Sequence, residues 1–283
     1  MMPKVSIVIP TCNRLDLLPR AIRSVLAQTY QDFEIIVVDD GTKERADVVV
    51  AGFSDPRTRY IKNETSLGGG GARNRGIKEA RGEYIALLDD DDEWLPDKLR
   101  TQMNVFEAAP QDVGFCFSSV TNVFSDHEET THVEDGIFDF SQIVLTRFKG
   151  FLTSTLVVRT AVFAEMGGFD ESLPSHQEPE LIIRFTRKYR GIGINQPLVR
   201  MNMTPHEHIG GDIHRRIRGK ELVLQKHAAL YAKYPHALAK QYFWLALWYR
   251  DSGQMVKAKG YFWKAFRLSG NPRYFGHWLL AFA

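Results

Sequence analysis

The stretch that decides the fold is residues 84–94, which read Tyr84-Ile85-Ala86-Leu87-Leu88-Asp89-Asp90-Asp91-Asp92-Glu93-Trp94. A short apolar run ends there abruptly in four adjacent aspartates. An apolar run of this length bounded by charges predicts a buried strand, and buried strands belong mostly to parallel sheets covered on both faces. The acids then lie at the carboxyl end of the strand, where open α/β sheets bind ligands. We expect them to hold a divalent cation through oxygen ligands, the alternative being a solvated acidic loop.

Length and composition limit the class of protein to which this acidic stretch can belong. The chain has 283 residues, 44% hydrophobic and 25% charged, which predicts a globular protein of one large domain or two smaller ones. Its formal net charge of +2 does not indicate a nucleic-acid binder. Cys12 and Cys116 cannot form a disulfide framework, so we expect reduced thiols and a cytoplasmic protein. No apolar run approaches the ~20 residues that cross a bilayer, and the N-terminus has no signal-peptide pattern. A peripheral position at the inner face of the membrane is the alternative location.

Strands and helices alternate through the N-terminal part of the chain. Residues 5–9 are β-branched and predict a first strand, bounded by Pro10, before a loop at residues 11–14 and a helix capped by Asp16. Residues 33–38 predict a second strand that also ends in acids, Asp39 and Asp40, and a third strand is expected around Tyr60. This alternation predicts a doubly wound parallel sheet that carries carboxylates from two strands at one edge.

A glycine run follows the third predicted strand, at residues 67–76, which read LGGGGARNRG. It contains no G-x-G-x-x-G, and Ile77 stands where a Walker motif needs lysine, so a dinucleotide dehydrogenase and a P-loop NTPase are both disfavoured. We expect a flexible loop that opens a helix reaching about Arg81. The amides of this loop and the guanidinium groups of Arg73 and Arg75 would face phosphate oxygens, the alternative being a tight turn with surface arginines.

Four pieces of the chain together resemble a family 2 glycosyltransferase. They are residues 5–14 (VSIVIPTCNR), residues 34–41 (EIIVVDDG), residues 71–76 (GARNRG), and Asp89-Asp90-Asp91 with Asp92 as the equivalent of the Asp-x-Asp motif. The resemblance covers residues 5 to about 184, roughly two thirds of the chain. It implies a GT-A fold, an α/β architecture with a Rossmann-like, mostly parallel sheet flanked by helices, here followed by a C-terminal α-helical extension.

The resemblance also implies roles for individual residues. Thr11 and Asp39 would contact the nucleoside and Arg73 the base or the phosphates, while Asp89 would lie near the ribose or a metal-bound water. Asp91 would be the direct ligand of Mn²⁺ or Mg²⁺, with Asp89, Asp92, His206 and His208 as further candidate ligands. The full set of implied donor-binding residues is Pro10, Thr11, Asn13, Arg14, Asp39, Asp40, Gly71, Arg73, Asp89 and Asp90.

The middle of the chain supplies the other half of the implied domain. A helix is predicted from Trp94 to about Ala109, then a strand at residues 113–117 and a polar loop or irregular hairpin at residues 125–139. In the family this half receives the acceptor, and residues 125–151 would set specificity. Glu178 stands where the family places its catalytic base. Pro179 suits the first position of a helix that ends before Gly191, which makes Glu178 the N-cap. Glu180 is the alternative base, and a plain helix-terminal acid is the structural alternative.

The C-terminal part differs in character from the rest of the chain. Three regions are predicted: a nucleotide-sugar-binding half at residues 1–110, an acceptor-binding half at 111–212, and a helical extension at 213–283. Within the extension, positions spaced as in a tetratricopeptide repeat predict one helix pair; they are Leu245, Tyr249, Gly253, Ala258, Phe262, Ala265 and Pro272. A single repeat cannot bury its own face. It would pack on the catalytic domain, pair with a second copy or a partner protein, or precede further repeats.

The function implied by the resemblance is metal-dependent, inverting transfer of a hexose. The donor would be a nucleotide-diphosphate sugar, UDP- or dTDP-linked, and the acceptor a glycan, a glycolipid or a surface polysaccharide, including lipid-linked forms. Two alternatives stay open at this point. One is a degenerate transferase domain that acts as a binding or scaffold protein, and the other is a nucleotidyltransferase that uses similar acids.

Overall fold

The computed structural model describes residues 2–41, 43, 45–147, 151–203 and 212–280. The contacts divide the chain into two compact units. The first comprises Met1–Phe140, Lys149–Glu171 and Leu181–Pro205, and the second comprises Ser141–Phe148, Ser172–Glu180 and His206–Ala283.

The first unit is built on one sheet of ten strands within the described residues. In chain order they are β1 (Val5–Thr11), β2 (Phe33–Asp39), β3 (Thr58–Lys62), β4 (Tyr84–Leu87), β5 (Glu93–Trp94), β6 (Val113–Val123), β7 (Glu128–Thr131), β8 (Gly136–Phe138), β9 (Val157–Arg159) and β10 (Arg190–Asn202). The main path through the sheet runs β3-β2-β1-β4-β9-β6-β10-β5. Strands β3, β2, β1 and β4 pair in parallel, as do β6 and β10. The predicted α/β class, with a mostly parallel sheet and flanking helices, is confirmed.

Helices connect these strands and continue beyond them. They are α1 (Leu18–Leu26), α2 (Ala46–Ala51), α3 (Gly68–Glu79), α4 (Lys98–Glu107), α5 (Thr160–Met166) and α6 (Gln177–Phe185), with 3₁₀ turns at Ile143–Leu145 and Thr153–Thr155. The second unit adds α7 (Ile213–Lys226), α8 (Ala228–Tyr231), α9 (Pro235–Asp251), α10 (Met255–Ser269) and α11 (Pro272–Leu280). The helical C-terminal extension that the sequence predicts is therefore present.

The central residues of strand β1, Ile7 to Ile9, are all apolar because helices cover both faces of the strand. Ile7 and Ile9 belong to a core cluster that includes residues of α1 and α4, whereas Val8 points to the opposite face, where α3 packs. Burial on both sides removes the need for alternating polar residues, which is why buried parallel strands read as continuous hydrophobic runs.

The glycine run forms the first turns of α3, so the prediction of a flexible loop was wrong. A Cβ on Gly76 would lie 2.3 Å from Cγ1 of Val8, which means that α3 approaches β1 more closely than any larger residue permits. Close approach of helix to strand, rather than flexibility, explains a glycine at this position.

Asp40, at the end of β2, holds the start of α3. Its carboxylate accepts hydrogen bonds at 2.8 Å from the backbone N–H groups of Leu67 and Gly68, and from the side chains of Asn63 and Ser66. Asp40 is itself buried. The orphan N–H groups of a helix start need acceptors, and here an acid from a neighbouring strand provides them.

Three predicted element boundaries differ from the structure. Asp16 is exposed and does not cap α1; N–H groups of Leu17 and Leu18 bond instead to the carbonyl of Arg14. Trp94 does not begin a helix, because Glu93 and Trp94 pair with β10 and α4 starts only after Pro96.

The third difference concerns the start of α6. The backbone N–H of Glu180 bonds to the carbonyl of His176, so the helix begins at Gln177, and Glu178 lies in its first turn rather than at the N-cap. Pro179 is tolerated there because N–H groups of the first turn have no intrahelical partner. The helix ends at Phe185, before Gly191 as expected, but Gly191 lies in β10 and not directly at the helix end.

The polar stretch at residues 125–139 contains two short strands. Strand β7 forms an antiparallel hairpin with β6, and β8 pairs with the start of β10 instead of with β7. The predicted loop or irregular hairpin is therefore two separate pairings: β7 with β6, and β8 with β10. Across the described ranges, no helix has the length and hydropathy to cross a membrane.

Lys98, on α4, is fully buried beneath the sheet. Its Nζ lies 3.6 Å from the centroid of the Trp94 ring and has no hydrogen-bond partner within the described residues. Burial disfavours the charged ammonium and lowers the pKa of Lys98 from 10.5 to about 7. A buried cation held only by an aromatic ring costs stability whenever it is protonated.

We expect the free energy of unfolding to rise with pH between about 7 and 10.5, because the unfolded chain binds the Lys98 proton in that window and the folded chain releases it. The charge on buried Lys98 destabilises the folded state fully below this pH window and no longer does so above it. Lys98→Met should raise stability at neutral pH and flatten the slope. Urea unfolding at several pH values measures both, with exposed Lys78→Met as the control that should change neither. An unaltered slope in Lys98→Met would contradict the assignment.

Asp40→Ala should lower the free energy of unfolding by about 1–3 kcal/mol, because it leaves buried donors at the start of α3 without an acceptor. Urea unfolding at pH 7 tests this. The control is Asp126→Ala, which removes a carboxylate with 80% side-chain exposure and should cost little. Equal stability of the two variants would show that Asp40 does not hold the helix.

Candidate active site

Three parallel strands deliver polar residues to one edge of the sheet. Strand β1 ends at Thr11, β2 ends at Asp39, and the acids Asp89–Asp92 follow β4 directly. Since β1 pairs in parallel with both β2 and β4, these three strand ends share an edge. The structure therefore brings together the sequence-predicted candidates on this edge.

Three of the four acids form a cluster that suits a cation. Carboxylate oxygens of Asp89, Asp91 and Asp92 all lie within 4.8 Å of one another, and Asp91 and Asp92 are buried. Burial, together with the charges of Asp89 and Asp91, raises the pKa of Asp92 well above its usual range. Hard oxygen donors at this spacing, carrying negative charge that burial penalises, fit a divalent cation such as Mg²⁺ or Mn²⁺.

Asp90 lies outside that cluster and binds to β1. It accepts a hydrogen bond at 2.7 Å from Oγ1 of Thr11. It also forms an ion pair with Arg14 at 3.1 Å. Burial raises its pKa to about 6, against the opposing effects of Arg14 and Thr11. The same Arg14 nitrogen lies 3.1 Å from Asp91, so Arg14 bridges the two acids and partly neutralises them.

Arg73 is the arginine of α3 that reaches the acids. It is buried, its guanidinium lies 2.6 Å from Oδ1 of Asp89, and it packs over the Phe169 ring at 5.4 Å. Arg75 is instead exposed and pairs with Glu79 one turn along the helix. Of the two arginines predicted to face phosphates, the structure brings only Arg73 to the acid cluster.

Asp39 is surrounded by donors of its own unit. Its carboxylate accepts from the backbone N–H of Gly41 at 2.8 Å, from the Tyr60 hydroxyl at 2.7 Å and from Lys62 at 3.0 Å. Burial and the hydrogen bond to Asp39 raise the pKa of Tyr60, so its phenol remains protonated and donates. A nucleobase that bonds to Asp39 has to share the carboxylate with these groups.

The turn after β1 packs against the end of β2. Asn13 adopts a positive φ of 55°, and its side-chain oxygen accepts from the backbone N–H of Lys43 at 3.0 Å. A Cβ on Gly41 would lie 2.7 Å from that oxygen, which explains the glycine after Asp39 and Asp40. Pro10 lies within β1, and Gly71 lies in the first turn of α3.

Sequence reasoning missed the groups that support the acid cluster. Ser154 donates to Asp92 at 2.5 Å and accepts from the backbone N–H of Asp89 at 3.1 Å, while the backbone N–H of Asn202 also bonds to Asp92. Arg20 donates to the backbone carbonyl of Asp91. The one sequence signal was the polar run Thr153-Ser154-Thr155 between apolar neighbours, all three members of which are buried.

Glu178 and Glu180, the candidate bases, belong to the second unit and differ in environment. Glu180 is fully buried, and its Oε1 lies 2.9 Å from Lys226 and 3.1 Å from Nε2 of His227. Glu178 is half-buried in the first turn of α6. The histidine candidates His206 and His208 lie outside the described residues.

The segment that carries Glu178 is held by α7 and α9. Ser175 donates to the backbone carbonyl of Arg215 at 2.9 Å, and a Cβ on Gly219 would lie 2.2 Å from the Ser175 hydroxyl oxygen. The His176 ring packs 5.6 Å from Trp248. Burial, with the nearby Lys220 and Arg216 charges, lowers the pKa of His176 to about 3, so its imidazole is neutral.

Comparison with known proteins identifies the family of this site. The family model described as "Glycosyl transferase family 2" matches residues 6–165. The amylovoran biosynthesis glycosyltransferase AmsB of Erwinia amylovora is 32% identical over 219 residues, which cover 70% of this chain and 69% of that protein. The succinoglycan biosynthesis protein ExoO of Rhizobium meliloti is 44% identical over 107 residues, 38% of this chain and 31% of that protein.

Solved structures share the fold at low sequence identity. Residues 1–349 of S. aureus TarS superpose with a TM-score of 0.69 at 16% identity, covering 94% of this chain and 80% of that one. The mannosyltransferase PcManGT of Pyrobaculum calidifontis, in complex with GDP-Man and Mn²⁺, gives a TM-score of 0.61 at 18% identity, covering 99% and 79%. The family match spans more than half of the chain, and the chain belongs to glycosyl transferase family 2 and is a glycosyltransferase.

Proposed function

We propose that the protein is a metal-dependent, inverting glycosyltransferase that moves a sugar from a UDP- or dTDP-linked donor to a glycan, glycolipid or surface-polysaccharide acceptor. The observation that carries the proposal is the cluster of Asp89, Asp91 and Asp92 at the sheet edge, beside buried Arg73. The relatives described above support a polysaccharide acceptor, since their names concern amylovoran and succinoglycan biosynthesis.

The donor would bind across the carboxyl ends of β1, β2 and β4. Asp91, with Asp89 and Asp92, would hold Mn²⁺ or Mg²⁺, which would supply positive charge to the two phosphates of the leaving nucleotide. S. aureus TarS structures contain UDP or UDP-GlcNAc, which favours a nucleotide-sugar site on this edge. His206 and His208 remain candidate further ligands.

The nucleoside would lie between β1 and β2. Asp39 would accept a hydrogen bond from the base, helped by Thr11 and Pro10 of β1, by Asn13 in the turn that follows, and by Gly71 in the first turn of α3. Arg14 and Arg73 would contact the phosphates or the base, because both guanidinium groups already lie against the acids. Asp89 and Asp90 would line the part of the donor site that holds the ribose. Asp40 would act by fixing the start of α3.

Glu178 would be the general base. Glu180 is unsuited because its carboxylate is buried and engaged by Lys226 and His227, whereas an acceptor hydroxyl needs an accessible oxygen. Glu178, partly exposed at the positive end of α6, would take the proton of that hydroxyl as the bond between the sugar and the diphosphate breaks. The new bond would form on the opposite face of the anomeric carbon, which inverts its configuration.

We divide the chain functionally into a donor half at residues 1–110, an acceptor half at 111–212 and a helical extension at 213–283 with one tetratricopeptide-like pair. Buried Leu245, Tyr249 and Phe262, at the spacing of such a repeat, support the last assignment.

Screening of nucleoside diphosphates and their sugars by thermal shift, with and without Mn²⁺, tests the donor class, because a ligand that binds the native state raises its melting temperature. Product analysis then identifies the reaction. Release of nucleoside diphosphate supports sugar transfer, whereas release of pyrophosphate would contradict it and indicate nucleotidyl transfer.

Asp91→Asn should weaken nucleotide binding and remove its dependence on metal, because the amide carries no charge for a divalent cation. Isothermal titration calorimetry of UDP with Mn²⁺ or with EDTA measures both effects. Asp97→Asn is the matched control, since Asp97 is exposed and follows the cluster on the same segment. Equal affinities with Mn²⁺ and with EDTA in the wild type would rule out the metal role.

Glu178→Gln should lower kcat by about 10²–10⁴, because glutamine keeps the size of the side chain but cannot take the proton. Nucleotide affinity and melting temperature should stay close to wild type. Glu180→Gln is the contrasting variant and should mainly lower stability, since it removes the charge of a fully buried acid that pairs with Lys226 and His227. NMR of the product should show inverted configuration. Near-normal turnover in Glu178→Gln, or retained configuration, would refute this mechanism.

A further inference from the structure

Helix α11 ends in two exposed leucines. Tyr274 stacks on Phe243 at 4.4 Å and His277 stacks on Phe262 at 5.4 Å, so one side of the helix packs against α9 and α10. Leu279 and Leu280 are 50% and 72% exposed, and no described residue of α11 is fully buried. Adjacent exposed leucines, unlike a single exposed one, contribute to an apolar patch of the kind that marks an interaction site.

An aromatic wall extends this apolar face onto α10. Trp263 lies 5.1 Å from Trp278, and Phe266 lies 5.0 Å from Phe275. Trp263 and Leu268 nevertheless retain more than a third of their exposure to solvent. Tryptophan beside leucine on an exposed surface is typical of residues that lie at a bilayer interface.

The charge of the same region has one sign. Residues 252–283 contain no aspartate or glutamate, although the whole chain has 34 acids against 36 Lys and Arg. The cations of this segment are Lys257, Lys259, Lys264, Arg267 and Arg273. Lys257 and Lys264 lie beside Glu221 of α7, whereas Arg267 is exposed one turn after Trp263. The aromatic face therefore carries positive charge, which is complementary to an anionic lipid surface.

We propose that α10 and α11 form a docking surface for the anionic headgroup region of a membrane, with Leu279, Leu280 and Trp263 entering the interface. This inference is independent of the proposed reaction, since it concerns only the C-terminal helices. The protein would lie on the membrane without crossing it, because none of the helices in the described part of the chain can span a bilayer. Docking would bring the enzyme to acceptors that are attached to lipid.

A second copy of the chain is a poorer occupant of this face. A two-fold interface places the same patch on both subunits, so Arg267, exposed one turn after Trp263, would lie near its counterpart in the other copy without any acid from residues 252–283. Such like-charge contact opposes association. Anionic lipid, by contrast, attracts these cations, and apolar insertion adds a second contribution of the kind that stable peripheral binding requires.

Co-sedimentation of the full chain with vesicles tests the proposal. Binding should be strong to mixed phosphatidylcholine–phosphatidylglycerol vesicles, weak to phosphatidylcholine alone, and reduced by added salt. Leu279→Ser/Leu280→Ser should weaken partitioning by about tenfold or more, because it removes apolar insertion. Val48→Ser, at an exposed valine of α2, is the matched control and should bind as the wild type does.

A charge-reversal variant provides the second test in the same co-sedimentation experiment. Arg267→Glu should reduce binding to the anionic vesicles by about fivefold or more, the contribution of one cation near the surface. Lys78→Glu is the matched control, because Lys78 is also an exposed basic residue in the last turn of a helix. Thermal unfolding and UDP binding should be unchanged in all four variants, which separates lipid docking from folding and from the proposed transfer reaction.

Three outcomes would overturn the proposal. Equal binding to neutral and anionic vesicles, or no effect of the leucine and arginine variants, would exclude this surface as an anionic-lipid site. Absence of vesicle binding, combined with a dimer in sedimentation velocity that Leu279→Ser/Leu280→Ser dissociates, would assign the face to a second copy instead.

Discussion

Mutual repulsion among four consecutive aspartates is the constraint around which the first unit is arranged. Carboxylates this close cannot all stay ionised in a buried place without compensation. Asp90 is satisfied by Thr11 and Arg14, Asp89 by Arg73, and Asp92 by Ser154 and the backbone of Asn202. These partners come from β1 and the loop after it, α3, the 3₁₀ turn before β9, and the end of β10. The acid stretch therefore connects elements that are far apart along the chain.

This compensation is incomplete in a way that suits catalysis. The protein supplies two guanidinium groups to Asp89, Asp90 and Asp91, yet Asp92 still has a raised pKa because of its burial and of its acidic neighbours. A cluster that retains excess negative charge in a sheltered position is prepared to receive a cation and, with it, a diphosphate. Stability and ligand binding thus draw on the same electrostatic arrangement, and in the proposed reaction a cation would offset the acidic surroundings that raise the pKa of Asp92.

The strand ends could be predicted from the sequence, because apolar runs that stop at acids depend only on local pattern. The α/β class, the shared edge of Thr11, Asp39 and Asp89–Asp92, and the C-terminal helices followed from such patterns. What failed depended on distant partners. The glycine run looked like a loop because neither the close approach of Gly76 to Val8 nor the capping of α3 by Asp40 is visible locally. Ser154 and Asn202 were missed for the same reason, since 62 and 110 residues separate them from Asp92.

The choice between Glu178 and Glu180 shows how tertiary contacts separate residues that the sequence treats as equivalent. Both acids lie in the first turn of α6, and helix-dipole arguments favour both equally. Lys226 and His227 engage Glu180, and the contact of Ser175 with Gly219 fixes the chain just before the helix. One acid thereby anchors the segment 172–180 to the helices of the second unit, and the other is left partly exposed. If Glu178 acts as the base, its position is set by the C-terminal helices, so these helices would contribute to turnover as well as to any surface that they present.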